Sequence, residues 1–152
     1  MSENKLRELG LELPAVPKPA GSYVPAVSSG TFLFTAGQLP FENGELRCKG
    51  KVGDAVAPEE AREAARLCAL NALAAAASEA GGLSNVRRIL KVTGFVASAP
   101  GFNDQPAVIN GASDLLGEVF GEAGVHTRSA VGVAELPLDA PVEVELVVEI
   151  TD

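Results

Sequence analysis

Histidine, cysteine, tryptophan and positive charge are all scarce in this chain. With one histidine, His126, and two cysteines, Cys48 and Cys68, no CxxC, HExxH or paired-histidine metal site can be written. Neither a GxGxxG nor a GxxxxGK run followed by Ser or Thr occurs, so the usual dinucleotide and P-loop signatures are absent. Twelve Lys and Arg against 20 Asp and Glu give a net charge of −8. That balance argues against general binding to nucleic acid or anionic membrane, while leaving room for one small cationic pocket. The longest apolar run, Leu67 to Ala77, is mostly alanine, contains Asn71 and is too short to span a bilayer. The opening Met-Ser-Glu-Asn-Lys-Leu-Arg-Glu lacks the hydrophobic segment of a signal peptide, so the cytoplasm is the expected compartment. There, two cysteines read as free thiols. Cys68 lies in the alanine-rich run and should pack as a small hydrophobe. Cys48 lies among Arg47, Lys49 and Lys51, whose charges would lower its thiol pKa, but no base stands beside it.

What is present suits one globular domain: 152 residues, 47% apolar and 21% charged. Residues 1–20, with Leu-Glu-Leu-Pro and Pro17-Lys18-Pro19, read as an extended arm, because proline restricts both its own backbone and that of the residue before it. Such an arm would lie over the surface or reach a neighbour. Residues 21–152 carry the domain. Val24 to Ser28 and Thr31 to Thr35 form a hairpin about Ser29-Gly30. After a turn at Asn43-Gly44, residues 46–52 are a candidate third strand, with Arg47, Lys49 and Lys51 on one face. That stripe either attracts anions or keeps an exposed strand soluble.

A helix is expected from Pro58, with Glu59 and Glu60 at the positive end of its dipole and Gly81-Gly82 as its stop. Ala61, Ala65, Cys68, Ala72 and Ala76 give it a ridge of small side chains, opposite Arg62, Glu63 and Arg66. Arg88 to Ser98 reads as a strand. Asn103 or Asp104 opens a second helix, with Pro106 in its first turn and Gly121 near its end. A strand from Arg128 to Ala134 follows. The last strand, Val142 to Ile150, alternates cleanly, with Glu143, Glu145, Val147 and Glu149 on one face. The order β-β-(β)-α-β-α-β-β predicts a two-layer α+β fold, with two helices on one face of a mixed sheet. No helix remains for the other face, and self-association is the economical way to cover it.

Arg128 and Glu143 are the first candidates for chemistry. If their two strands are antiparallel neighbours, the residues still do not lie opposite each other. A close pairing needs a shifted register or a neighbouring chain, and both residues are otherwise ordinary solvated charges. Arg128-Ser-Ala-Val-Gly-Val-Ala-Glu-Leu-Pro137-Leu-Asp-Ala-Pro-Val-Glu143-Val-Glu145 resembles the C-terminal signature of the reactive intermediate deaminase family, also called the YjgF or L-PSP endoribonuclease family. Gly21 to Gly30 resembles that family's first strand. Phe34-Thr-Ala-Gly37-Gln38-Leu-Pro40 resembles its Ser-Gly-Gln segment, and Val108-Ile-Asn110 its second helix. The resemblance spans residues 21–150.

The resemblance implies a chorismate-mutase-like fold and a homotrimer with clefts between subunits. It implies hydrolysis of 2-imino acids or their enamine tautomers to 2-keto acids and ammonia, with no metal or organic cofactor. It implies Arg128 as the carboxylate-binding and catalytic arginine and Glu143 as the catalytic group that positions water. It implies Tyr23, Gly37 and Asn110 as further substrate-binding residues. A guanidinium suits the first role because it grips a carboxylate through two parallel hydrogen bonds. The chain departs from the family where Ala36 replaces the serine and Ala130 the frequent cysteine. A non-catalytic module for small carboxylic-acid metabolites is therefore a second reading. A ribonuclease or translation inhibitor, resting only on Arg47, Lys49 and Lys51, is a third. His126 lies two residues before Arg128 and is either an acid–base group or a structural one.

Overall fold

The computed structural model describes all 152 residues. Seven strands and three helices follow in the order α1 (Ser2–Glu8), β1 (Ala26–Ser29), β2 (Phe32–Thr35), β3 (Phe41–Glu42), β4 (Glu45–Leu46), α2 (Pro58–Ala80), β5 (Val86–Ala97), α3 (Gln105–Phe120), β6 (Thr127–Val133) and β7 (Val142–Ile150). Five strands form one sheet in the order β1-β2-β7-β5-β6. Only β5 and β6 run parallel, and the connection between them carries α3, as a parallel crossover requires. Both long helices cover the same face, so the expected two-layer α+β architecture stands.

The long helix forms where the sequence reading places it. Pro58 opens α2, Glu59 and Glu60 occupy its first turn, and Gly81 closes it at φ 84°. All five residues of the small-side-chain ridge are buried, and the buried surface of α2 extends well beyond that ridge. The sheet covers one side, α3 a second, and the N-terminal arm and the β3–β4 hairpin a third. Asn71 is the one polar residue sealed beneath that third cover, and it donates to the carbonyls of Leu39 and Phe41, both at 3.0 Å. β7 alternates strictly, with Val142, Val144, Leu146, Val148 and Ile150 buried against the helices.

Three expectations need correction. The arm is not extended throughout: Ser2–Glu8 is helical, because Leu6 can be buried in the core from one helix face. Beyond it, Leu9, Leu11, Leu13 and Val16 pack on the core of the same chain. The third strand shrinks to a tight hairpin. Asn43 and Gly44 turn the chain at positive φ, and Gly50 and Gly53 at φ 116° and 94° break the extended run. Finally, β6 and β7 are not neighbours, because the long β5 lies between them. The uncovered face of the sheet exposes Val27, Phe32, Phe34 and Val131 at 56, 51, 46 and 44%.

Candidate functional site

Arg128 opens β6 opposite Val92 of β5, whose side chain is buried beneath the helices. Residues paired in this way point to the same side of a sheet. The guanidinium therefore lies against α3. Its Nη1 donates to Asn110 Oδ1 at 2.8 Å and to Ser113 Oγ at 3.2 Å, and its Nη2 donates to the Pro106 carbonyl at 3.4 Å. A guanidinium has five N–H groups. Three are engaged, and the Nε–H and one Nη2–H remain. Of the seven arginines, only Arg66 and Arg128 are shielded from full exposure, and Arg66 is neutralised by Glu118 at 3.3 Å. Arg128 has no carboxylate within ion-pair distance.

Glu143 opens β7 opposite Phe95, on the face without helices. Its carboxylate lies directly over Gly37, where a Cβ would collide with Oε2. Glycine at 37 is thus a matter of space. Burial, and then the charge of Glu145, push the Glu143 carboxyl above the usual range. Gly37 also lines a cavity of about 130 Å³ with Tyr23, Lys18, Gln38 and Leu138. The Tyr23 hydroxyl accepts from the Ala20 amide at 3.0 Å. At one edge of this cavity, Leu138 and Asp139 hold left-handed backbone at φ 60° and 62°. For a branched side chain such as leucine this is strained, and strain of this kind gathers at binding loops.

The candidate residues therefore fall into two groups. Arg128 and Asn110 meet on the helical side of an edge strand. Glu143, Gly37 and Tyr23 gather on or beside the open side of the sheet. Two strand spacings, roughly 10 Å, and the sheet itself separate the groups. A larger cavity of about 500 Å³, beneath Pro14, Val16 and Phe41, touches none of these residues. Volume does not locate the chemistry here.

Sequence reasoning missed Ser113, although it follows Asn110 by three residues and so shares its helix face. It also placed Cys48 wrongly. Burial first, and then Glu60, raise that thiol's pKa, and Arg47 opposes them only in part. The stripe beside it is divided, since Arg47 faces Glu42 at 3.8 Å and Lys51 faces Glu135 at 3.3 Å.

Comparison with known proteins identifies the family of the chain. The family described as "YjgF/chorismate mutase-like, putative endoribonuclease" matches residues 3–150. Protein TCP17 of Trypanosoma cruzi is 44% identical over 97% of this chain and 92% of its own length. A 2-iminobutanoate/2-iminopropanoate deaminase of Dermatophagoides farinae is 31% identical over 92% of this chain and 94% of its own. Among solved structures, the Atu1372 protein of Agrobacterium tumefaciens, whose function is unknown, superposes with a TM-score of 0.91 at 47% identity. It covers 99% of this chain and 93% of that one. Escherichia coli TdcF with bound serine superposes at 0.66 and 29% identity, over 90% of this chain and 94% of its own. The chain belongs to the YjgF family of reactive intermediate deaminases.

Proposed function

We propose that this protein hydrolyses 2-imino acids, or the enamines that tautomerise to them, to 2-keto acids and ammonium. The observation that carries the reading is Arg128, a shielded guanidinium with no acidic partner and two N–H groups free. Two N–H groups are what one carboxylate takes up in a bidentate pair. With the carboxylate held, the protonated imine carbon is the electrophile. Water adds to that carbon and gives up a proton to Glu143. The resulting carbinolamine takes that proton back on nitrogen and expels ammonia. Its hydroxyl loses its proton as the carbonyl forms, to Glu143 and then to the ammonia, which leaves as ammonium. A carboxylate whose proton affinity is raised by burial suits both transfers. Since Arg128 and Glu143 face opposite sides of one sheet, the working cleft combines Arg128 and Asn110 of one copy with Glu143, Gly37 and Tyr23 of another. A homotrimer packed through the exposed Val27, Phe32, Phe34 and Val131 would build such clefts.

The test couples the purified protein to a pyridoxal-phosphate-dependent dehydratase that generates 2-aminoacrylate or 2-aminocrotonate. Arg128→Ala is expected to lower kcat/KM by on the order of 10²-fold or more, since two charge-assisted bonds of about 1.5–3 kcal/mol each are lost. Arg128→Lys should also be poor, because a point charge cannot reproduce the planar fork. Equal keto-acid release with the native protein, with Arg128→Ala and with no protein would remove the proposal. A second reading, binding of small carboxylic acids without turnover, draws on Ala36 and on Ala130, which packs against the core in place of a polar group. It is favoured instead if 2-keto acids raise the melting temperature and no hydrolysis follows. The ribonuclease reading lacks a cationic surface, for Arg47 and Lys51 are interleaved with acids.

A further inference from the structure

His126, the only histidine, lies in a chain of contacts that leads to Arg128. Its Nδ1 is 2.6 Å from the carbonyl of Gly124, and its Nε2 is 2.9 Å from Ser113 Oγ. A carbonyl oxygen only accepts, so Nδ1 carries the proton. In the tautomer with its single proton on Nδ1, Nε2 is an acceptor, and the Ser113 hydroxyl donates to it. That fixes the hydroxyl's rotation and turns its lone pairs toward Arg128 Nη1, which donates to the same oxygen at 3.2 Å. Without His126 the hydroxyl loses the acceptor that fixes its proton, and only the guanidinium's own N–H biases its rotation. His126 lies just before β6, and its contact with Ser113 places it, like Arg128, against α3. Ser113 is the one side chain that hydrogen-bonds to both residues. Gly124, at the end of the turn between α3 and β6, is buried and anchors the far end of the chain.

From these contacts we infer that His126 and Ser113 are positioning residues that orient the Arg128 guanidinium for a substrate carboxylate. The Gly124 carbonyl sets the tautomer that makes this possible. The inference rests on the proposed role of Arg128 and adds to it the device that holds its fork in one orientation. Neither His126 nor Ser113 touches the substrate.

Asparagine and glutamine separate the two halves of the imidazole. In His126→Asn the amide nitrogen stands near Nδ1 and keeps the bond to Gly124, while the contact with Ser113 is lost. In His126→Gln the amide oxygen stands near Nε2 and keeps the contact with Ser113. In the coupled assay, His126→Asn is expected to raise KM roughly tenfold with kcat nearly unchanged, and His126→Gln to restore most of that loss. Ser113→Ala should raise KM by a similar factor, and adding His126→Asn to it should change nothing more. An unchanged KM in His126→Asn, or an equal further rise in the Ser113→Ala background, overturns the inference. A second measurement does not depend on turnover. In ¹⁵N-labelled ligand-free protein, the Arg128 guanidinium signal, identified by its loss in Arg128→Ala, should be resolved in the native chain and in His126→Gln. It should be averaged in His126→Asn. If it is equally resolved in all three, the positioning role fails whatever the protein hydrolyses. If instead it behaves as expected while Arg128→Ala turns over like the native chain, the proposed function fails and the positioning role stands.

Discussion

Glu143 holds its proton more firmly than an exposed glutamate because the sheet shields it and Glu145 repels its charge. Its pKa in the folded chain is therefore raised above that in the unfolded chain. By linkage, its contribution to stability is fully present below the unfolded pKa and is lost as the pH rises through the folded one. Glu143→Gln removes the ionisation altogether. The variant is expected to melt above the native protein near neutral pH, with the difference closing in acid, and to lose keto-acid release. Thermal melts across that range check the first expectation. A native chain that outlasts Glu143→Gln at neutral pH would contradict it. On the proposed function, Glu143 costs stability and supplies chemistry, a local conflict of the kind functional sites retain. At this scale the sequence singled out Arg128 and Glu143 together, and their roles came through the resemblance of residues 128–145 to the family's C-terminal signature. It did not indicate Ser113 or the part played by His126, because their meaning depends on a contact between α3 and β6.

Among the elements, α2 and α3 meet where Gly111 of α3 lies against the backbone carbonyl of Arg62, with no room for a Cβ. Gly111→Ala must push the helices apart, and overpacking of this sort costs about 1–3 kcal/mol. Urea unfolding should report a lower midpoint with little change in slope. Because α3 carries Asn110 and Ser113, the same variant should also weaken the grip on Arg128 and raise KM. The alternation of β7 and the caps of α2 were legible because period and capping are local properties of a chain. The length of β3 and β4 was not. The alternating Arg47, Lys49 and Lys51 mimic a strand, but Gly50 and Gly53 take up backbone angles that end it. Strand neighbours were not legible either. Nothing in the order β6, β7 says that β5 lies between them.

On the proposed function, the whole molecule meets a geometric condition that one chain cannot satisfy: two half-sites on opposite faces of a single sheet. If they combine across copies, Arg128→Ala and Glu143→Gln should complement each other. Each variant alone is expected to be nearly inactive. After mixing in equal amounts and subunit exchange, about a quarter of the clefts would carry both an intact Arg128 and an intact Glu143. Keto-acid release near that fraction of the native rate supports the shared cleft, and mixtures no more active than the separate variants would exclude it. Phe32 and Phe34 alternate with buried Leu33 and Thr35, so the apolar open face was already written into the strand pattern.

The sequence by itself determined the two-layer α+β class, the buried ridge of α2 and the buried face of β7. Each of these follows from local periodicity, whereas the proposed carboxylate-binding role of Arg128 came through resemblance to the family. The tertiary structure alone decided which residues meet: Arg128 with Asn110 and Ser113, and Glu143 with Gly37. Those meetings depend on strand order and helix docking, which are set by packing the whole core at once and leave no periodic trace in the chain.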